Sequence, residues 1–177
     1  EIGRLALAAK VERVLYPERS AAAHLKATAT LAGTTPLLAG PARLARGSGM
    51  VGRAKMSFVA PGEPFELGFG PDDGLRVRRT ESDRRDQVFA IGTQVLERKV
   101  RLFLSNLSDG EKRVRVTERI PVSELSEIDV DLKEAPGFEH LRKDGFLVAE
   151  VTLAPRETRE LALRYEVRAK SNVQLPF

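Results

Sequence analysis

From His24 the chain reads His-Leu-Lys-Ala-Thr-Ala-Thr-Leu, placing Leu25, Ala27, Ala29 and Leu31 on one side and His24, Lys26, Thr28 and Thr30 on the other. This period of two predicts a half-buried β-strand. The same alternation sets Val100, Leu102 and Leu104 against Arg101, Phe103 and Ser105, and Val114 and Val116 against Arg113, Arg115 and Thr117. Between those two runs lies Ser108-Asp109-Gly110-Glu111, whose Asp-Gly tolerates positive φ, so a hairpin is expected. Two further hairpins are expected: residues 42–45 with 50–58 around Gly47-Ser48-Gly49, and residues 147–153 leading through Ala154-Pro155 into 159–167. In the last of these strands Leu161, Leu163, Tyr165 and Val167 share the inward side. The segment Ile2 to Leu15 is rich in alanine and its spacing also permits a helix; it is read as a strand. Ten prolines and fourteen glycines at short intervals suit many short strands and not long helices. The fold class expected is all-β, an antiparallel β-sandwich.

One phrase occurs twice. "VAPGEPFELGF" begins at Val59 and "LAPRETRELAL" at Leu153, an offset of 94. Each has an apolar residue before Ala-Pro, a glutamate two places after the proline (Glu63, Glu157), and a strand opening on Glu66-Leu67 or Glu160-Leu161. Proline presets φ for a tight turn and cannot donate to a ladder, so the phrase reads as a corner between strands. A weaker match, at an offset of 75, relates the stretch from Leu25 to the one from Val100, each a strand followed by a polar turn. The offsets differ because the second part carries an insertion around residues 133–145. The chain is therefore expected to form two immunoglobulin-like halves, 1–88 and 89–177, joined near residues 84–94, or one continuous domain over 1–177 with two similar corners.

With 177 residues the chain is long enough to bury a core, and 42% hydrophobic with 31% charged residues is a globular balance. No run of about 18 apolar residues is present, so no membrane-spanning helix is expected. Cysteine is absent, which excludes disulfides, thiolate zinc sites and thiol catalysis. The first residue is Glu1, with neither methionine nor apolar leader, so the chain reads as an excised or processed fragment and its compartment, cytoplasm or cell envelope, stays open. The formal charge of +4 is uneven: residues 1–56 hold nine Lys/Arg and three Glu. That surplus permits an anionic partner, although a solvated basic face is the commoner meaning.

Candidate chemistry is sparse. His24 falls on the polar side of a strand and His140 in a charged insertion, and both read as surface residues. Glu127, Asp129 and Asp131 alternate on one face and would hold a hard cation only if the fold brought Asp72 or Asp73 to them. A glycosidase would need two carboxylates opposed across a cleft, which alternation along one strand does not supply. Arg76, Arg78, Arg79, Arg84 and Arg85 concentrate guanidinium groups, and Arg76, Arg78 and Arg79 are the candidate binding residues. Interleaved Glu81, Asp83 and Asp86 favour a charged edge strand instead. Without stacking aromatics beside them, nucleic acid is not expected as a partner. With no Trp and only two Tyr, direct sugar stacking is disfavoured. No catalytic residue, cofactor or metal is assigned.

Three stretches taken together, "PLLAGPARLARGSGMVGRAKMSFVAPGEPFELGFGPDDGLRVRR" (36–79), "ERIPVSELSEIDVDL" (118–132) and "LVAEVTLAPRETRELALRYEV" (147–167), resemble the C-terminal domain of the mucoidy inhibitor A family of bacterial proteins. The resemblance implies a β-rich domain that follows an N-terminal module and a coiled coil, both missing from this chain. It also implies a negative effect on exopolysaccharide production with no established reaction. Ala169 stands where family members often have a proline after Tyr-x-Val, which touches only the terminal edge. The function expected is a non-catalytic interaction module whose partner is a protein, either that N-terminal module and coiled coil or another chain. The alternatives are a glycan-acting hydrolase domain of the envelope and a module binding an anionic polymer. Oligomeric state is left open.

Overall fold

The computed structural model describes residues 3–88, 92–141, 143–170 and 173. Its strands, in chain order, are β1 (Ala9–Leu15), β2 (Ala22–Thr30), β3 (Gly40–Arg46), β4 (Gly49–Met56), β5 (Pro64–Val88), β6 (Thr93–Asn106), β7 (Lys112–Arg119), β8 (Ile128–Glu134), β9 (Glu139–Leu141), β10 (Phe146–Leu153) and β11 (Thr158–Lys170). No helix occurs among the described residues. The all-β expectation holds. Nine strands form one sheet in the order β8-β11-β6-β5-β2-β1-β7-β10-β9, and β3 and β4 form a second, two-stranded one. The large sheet is mixed, not purely antiparallel, because Val14 and Leu15 of β1 pair in parallel with Arg115 and Val116 of β7. In the first segment only Ala9–Leu15 is strand; residues 3–8 have no regular structure, and Ile2 lies outside the described residues.

The sheet folds over where β2 meets β5. Register shifts fall on both sides of His24, and extra residues in one strand of a ladder bend it. Its two wings then face each other. Leu96, Val100, Leu102 and Leu104 of β6 and Leu163, Tyr165 and Val167 of β11 meet Val114 and Val116 of β7 and Leu147, Ala149, Val151 and Leu153 of β10, all buried. Leu75, Val77, Leu15 and Ala23 close the fold line. Burying a Leu or Val side chain is worth about 1.5–3 kcal/mol, so this interior supplies most of the driving force.

Two expected hairpins are absent. β6 pairs with β5 and β11 while β7 pairs with β1 and β10, so Ser108–Glu111 carries the chain across the core from one wing to the other. The Ala154-Pro155 turn likewise joins β10 to β11 without pairing them. The reason is that Leu102 and Leu104 and Val114 and Val116 all bury the same kind of face; in a hairpin they would share one surface, whereas here they face each other. Buried Asn106 fixes both crossings: its amide donates to the carbonyls of Gly110 and Ala154, each at 2.8 Å, and to Leu153 at 3.3 Å, and its Oδ1 accepts from the Ser108 N–H and hydroxyl. The third expected hairpin, β3–β4, is formed.

The duplicated phrase is a duplicated corner. Glu63 donates its N–H to Ala60 O at 3.0 Å, and its Oε2 accepts from Ala60 N–H at 2.8 Å; Glu157 does the same with Ala154 at 3.2 and 2.6 Å. The residue after proline has positive φ in both, +81° at Gly62 and +60° at Arg156, as a type II turn demands. The ladders around the corners also match. Thr30↔Pro64 corresponds to Ser105↔Thr158, Ala27↔Leu67 to Leu102↔Leu161, Gly40↔Met56 to Arg115↔Glu150, and Leu44↔Gly52 to Arg119↔Phe146. Each pair shifts by 75 on its first strand and 94 on its second. Even the isolated bridge Leu37↔Val59 has its counterpart in Lys112↔Leu153. The difference lies between the second and third members: β3 turns directly into β4, whereas β7 reaches β10 only after β8 and β9. Of the join expected near 84–94, residues 84–88 and 93–94 belong to the continuous β5–β6 ladder and 89–91 lie outside the described residues.

Candidate functional site

The most closely knit charge cluster centres on Asp72, buried at the fold line. Arg13 Nε donates to its Oδ2 at 2.7 Å, Lys112 Nζ to both oxygens at 2.7 Å, and Gly74 N–H to Oδ1 at 2.9 Å. Burial pushes the carboxyl up, but the hydrogen bonds from Lys112, Arg13 and Gly74 prevail and bring its pKa down to about 2. The triad ties β1, β5 and β7 together where β1 and β7 begin to diverge. Beyond Val14, the free edge of Ala9–Arg13 and the facing edge of β7 open into a cleft of about 310 Å³ lined by Lys10, Val11, Glu12, Arg13, Arg113, Arg115 and Glu150, with Lys10 paired to Glu12 at 2.6 Å and Arg113 to Glu150 at 3.3 Å.

Alternation along β5 splits the arginine candidates. Arg76 turns outward to Asp73 at 3.4 Å, and Arg78 lies over the Phe103 ring with its Cζ 4.2 Å from the centroid. Arg79 turns inward: its Nε reaches both oxygens of Glu118 at 3.1 and 3.3 Å, and Nη1 bonds Glu81. Glu118 is 2% exposed, and burial pushes its pKa up against the pull of Arg79. Four residues beyond Arg79 on β5, Asp83 accepts from Nε and Nη2 of Arg98 at 2.7 and 2.8 Å, and Tyr165 bonds the same guanidinium, burial raising its phenol. Arg79 with Glu118 links the two wings and Asp83 with Arg98 links neighbouring strands of one wing; ion pairs in which both groups satisfy each other leave little to offer a ligand. From Arg78 onward β5 pairs only with β6, so the charged stretch does form an outer strand.

The other candidates are dispersed. His24 is exposed with Ser20 Oγ 3.3 Å from its Nε2, and Asp131 is held by Lys133 at 2.5 Å, which lowers its pKa. His140 and Asp129 line a shallow cleft of about 160 Å³ with Ser123. The Ser123 hydroxyl is already occupied, accepting from the Leu125 N–H at 3.1 Å. Among the described residues no group of three or more His, Asp or Glu is placed to hold a metal ion.

The sequence reading missed a face of the β3–β4 hairpin. Arg43 and Arg53 stand directly opposite in the ladder, with Lys55 two residues further on the same face, all exposed. Neither they nor Arg46 makes an ion pair with a described residue. The signal was present: no Asp or Glu occurs anywhere from Arg19 to Gly62. Summing charge over residues 1–56 blurred it.

Residues 4–170 match the model of a protein family described as a domain of unknown function, DUF4139. The chain belongs to this family. Comparison with curated proteins gives no match. The match takes in all eleven strands, so the folded sheet, the paired corners and the hairpin are all parts of the DUF4139 domain.

Proposed function

We propose that this DUF4139 domain is a non-catalytic interaction module that receives an extended segment of a partner protein in the cleft between β1 and β7. The observation that carries this reading is the divergence of two strand edges from a common root. Val14 and Leu15 already pair with β7, and beyond them two rows of backbone groups face an opening of about 310 Å³ with exposed Val11 on its wall. Unpaired edges accept an added strand through main-chain hydrogen bonds, and Lys10, Arg113, Arg115 and Glu150 supply charges to choose among sequences. The pairing of charged groups with one another, those on the cleft's exposed rim included, supports a binding role over a catalytic one. On this reading, which the resemblance to the mucoidy inhibitor family supports, the process served is control of exopolysaccharide production. The matched ladders support a further element of the reading, that the chain is two immunoglobulin-like halves built from one four-stranded unit.

Selecting displayed peptides on the immobilised chain tests the docking reading. Enriched peptides should shift the amide resonances of residues 10–13 and 113–115, and Val11→Pro, which removes an edge donor, should weaken binding about ten-fold, the worth of roughly one hydrogen bond. The competing hydrolase reading draws on the grouping of His140 and Asp129 in one cleft. Turnover of a glycoside or ester that disappears in His140→Ala would overturn the module.

A further inference from the structure

In the β3–β4 hairpin Leu44 is buried and Ala42, Ala54 and Met56 on its side are half-buried, so the opposite parity, with Arg43, Arg53 and Lys55, faces solvent. Like charges directly opposite on a ladder repel, and nothing within the acid-free stretch from Arg19 to Gly62 relieves them. Elsewhere Arg79, Arg98, Arg113, Arg156, Arg164 and Arg168 each have a carboxylate within 3.4 Å. One large apolar side chain accompanies the cations: Met50, 65% exposed, sits at the tip opposite Ala45. Exposed Leu38 and Phe58, at the base, have the parity of Gly40 and Met56 and so belong to the other side.

We infer that the outer face of the β3–β4 hairpin docks peripherally on an anionic lipid membrane. Three properties select that occupant. The face has one sign of charge, so it matches a surface of phosphate headgroups and lacks the mixed donors and acceptors that fix register on a folded protein. It is not part of the clefts described above, whose walls hold no hairpin residue. Met50 at its tip is an exposed, flexible apolar side chain, which suits insertion at the acyl boundary and serves no purpose on a hydrated acidic polymer. The cations steer approach and hold the headgroups; Met50 enters the interface. This goes beyond the proposed function and uses other residues, so either can fail alone.

The test uses the whole chain with phosphatidylglycerol-rich vesicles and with vesicles of phosphatidylcholine alone. Binding is expected to the first and not the second, and to weaken with salt. Each basic residue at an anionic leaflet contributes roughly five-fold, so the triple change Arg43→Gln, Arg53→Gln, Lys55→Gln should lower partitioning roughly 100-fold. Lys10→Gln with Arg113→Gln should leave it unchanged. Because the chain has no Trp, Met50→Trp gives a second readout: its emission should shift to the blue on anionic vesicles only. Equal binding to both vesicle types, binding untouched by the triple change, an unshifted Trp, or retention on heparin without vesicle binding would each overturn the inference.

Discussion

Set side by side, β2, β3, β4 and the first part of β5 repeat the ladders of β6, β7, β10 and β11 pair for pair, yet the two sets differ in almost everything that side chains do. In the second set the ladders close over a continuous interior of Leu and Val. In the first, only Leu25, Leu31, Leu44 and Val59 are buried, apart from the main cluster. The faces are exchanged as well. Arg43, Arg53 and Lys55 occupy the places of Glu118, Leu147 and Ala149; the former are exposed and the latter buried. Register is thus set by backbone corners and turns, because it survives when the side chains change sign, size and side. Packing decides which set supplies stability and which supplies surface.

Core truncation should separate the sets most strongly. Leu102→Ala, at a fully buried position, should cost about 3–4 kcal/mol and lower the melting temperature of the whole molecule, while Leu44→Ala should cost about 2 kcal/mol or less. Equal losses by denaturant titration would mean that the two interiors are equally tight. Next comes Asn106, whose counterpart in the first set is Leu31. Asn106→Ala leaves several carbonyls without donors and should cost about 2–3 kcal/mol; a loss under about 0.5 kcal/mol would show that the crossings hold without it.

Acid titration distinguishes two carboxylates that respond with opposite sign. Asp72 is held at about 2 against an ordinary 3.8. The folded state therefore binds fewer protons, and the triad's contribution is complete above about pH 4 and lost as pH falls toward 2. The shift corresponds to about 2 kcal/mol, so Asp72→Asn should remove roughly that much at neutral pH and flatten the acid limb of the stability curve. Glu118 is shifted upward by burial. Its folded form binds more protons than the unfolded chain, so its contribution grows as pH falls through the raised value and levels off near the ordinary 4.5. Glu118→Gln should abolish that rise, and an unchanged profile would mean that Arg79 keeps the group in its normal range. The smallest effect belongs to the corners: Arg156→Gly should stabilise and Gly62→Ala destabilise, each by about 0.5–1 kcal/mol in thermal melts, since both sites have positive φ.

Much of the fold was legible because alternation is local. The strand around Leu25, the inward set of Tyr165 and Val167, and both Ala-Pro-x-Glu corners follow from neighbouring residues. Pairing was less legible. Ser108-Asp109-Gly110 serves equally in a hairpin and in a crossing between layers, and only the need of Leu102 and Val116 to face each other decides. The parallel contact of Leu15 with Val116 spans about a hundred residues and leaves no local trace. At the site, Arg79 could be placed on the inward parity with Val77, but its partner Glu118 lies on another strand. The hairpin cations could have been found from the absence of acids around them.

The central claim is that matched ladders carry unequal stability, and native-state hydrogen exchange of the whole chain measures this most directly. Amides of β6–β11 and β7–β10 should exchange only through global unfolding, while their counterparts in β2–β5 and β3–β4 should open at distinctly lower free energy. Equal protection in both sets, or greater protection in the hairpin, would contradict the account.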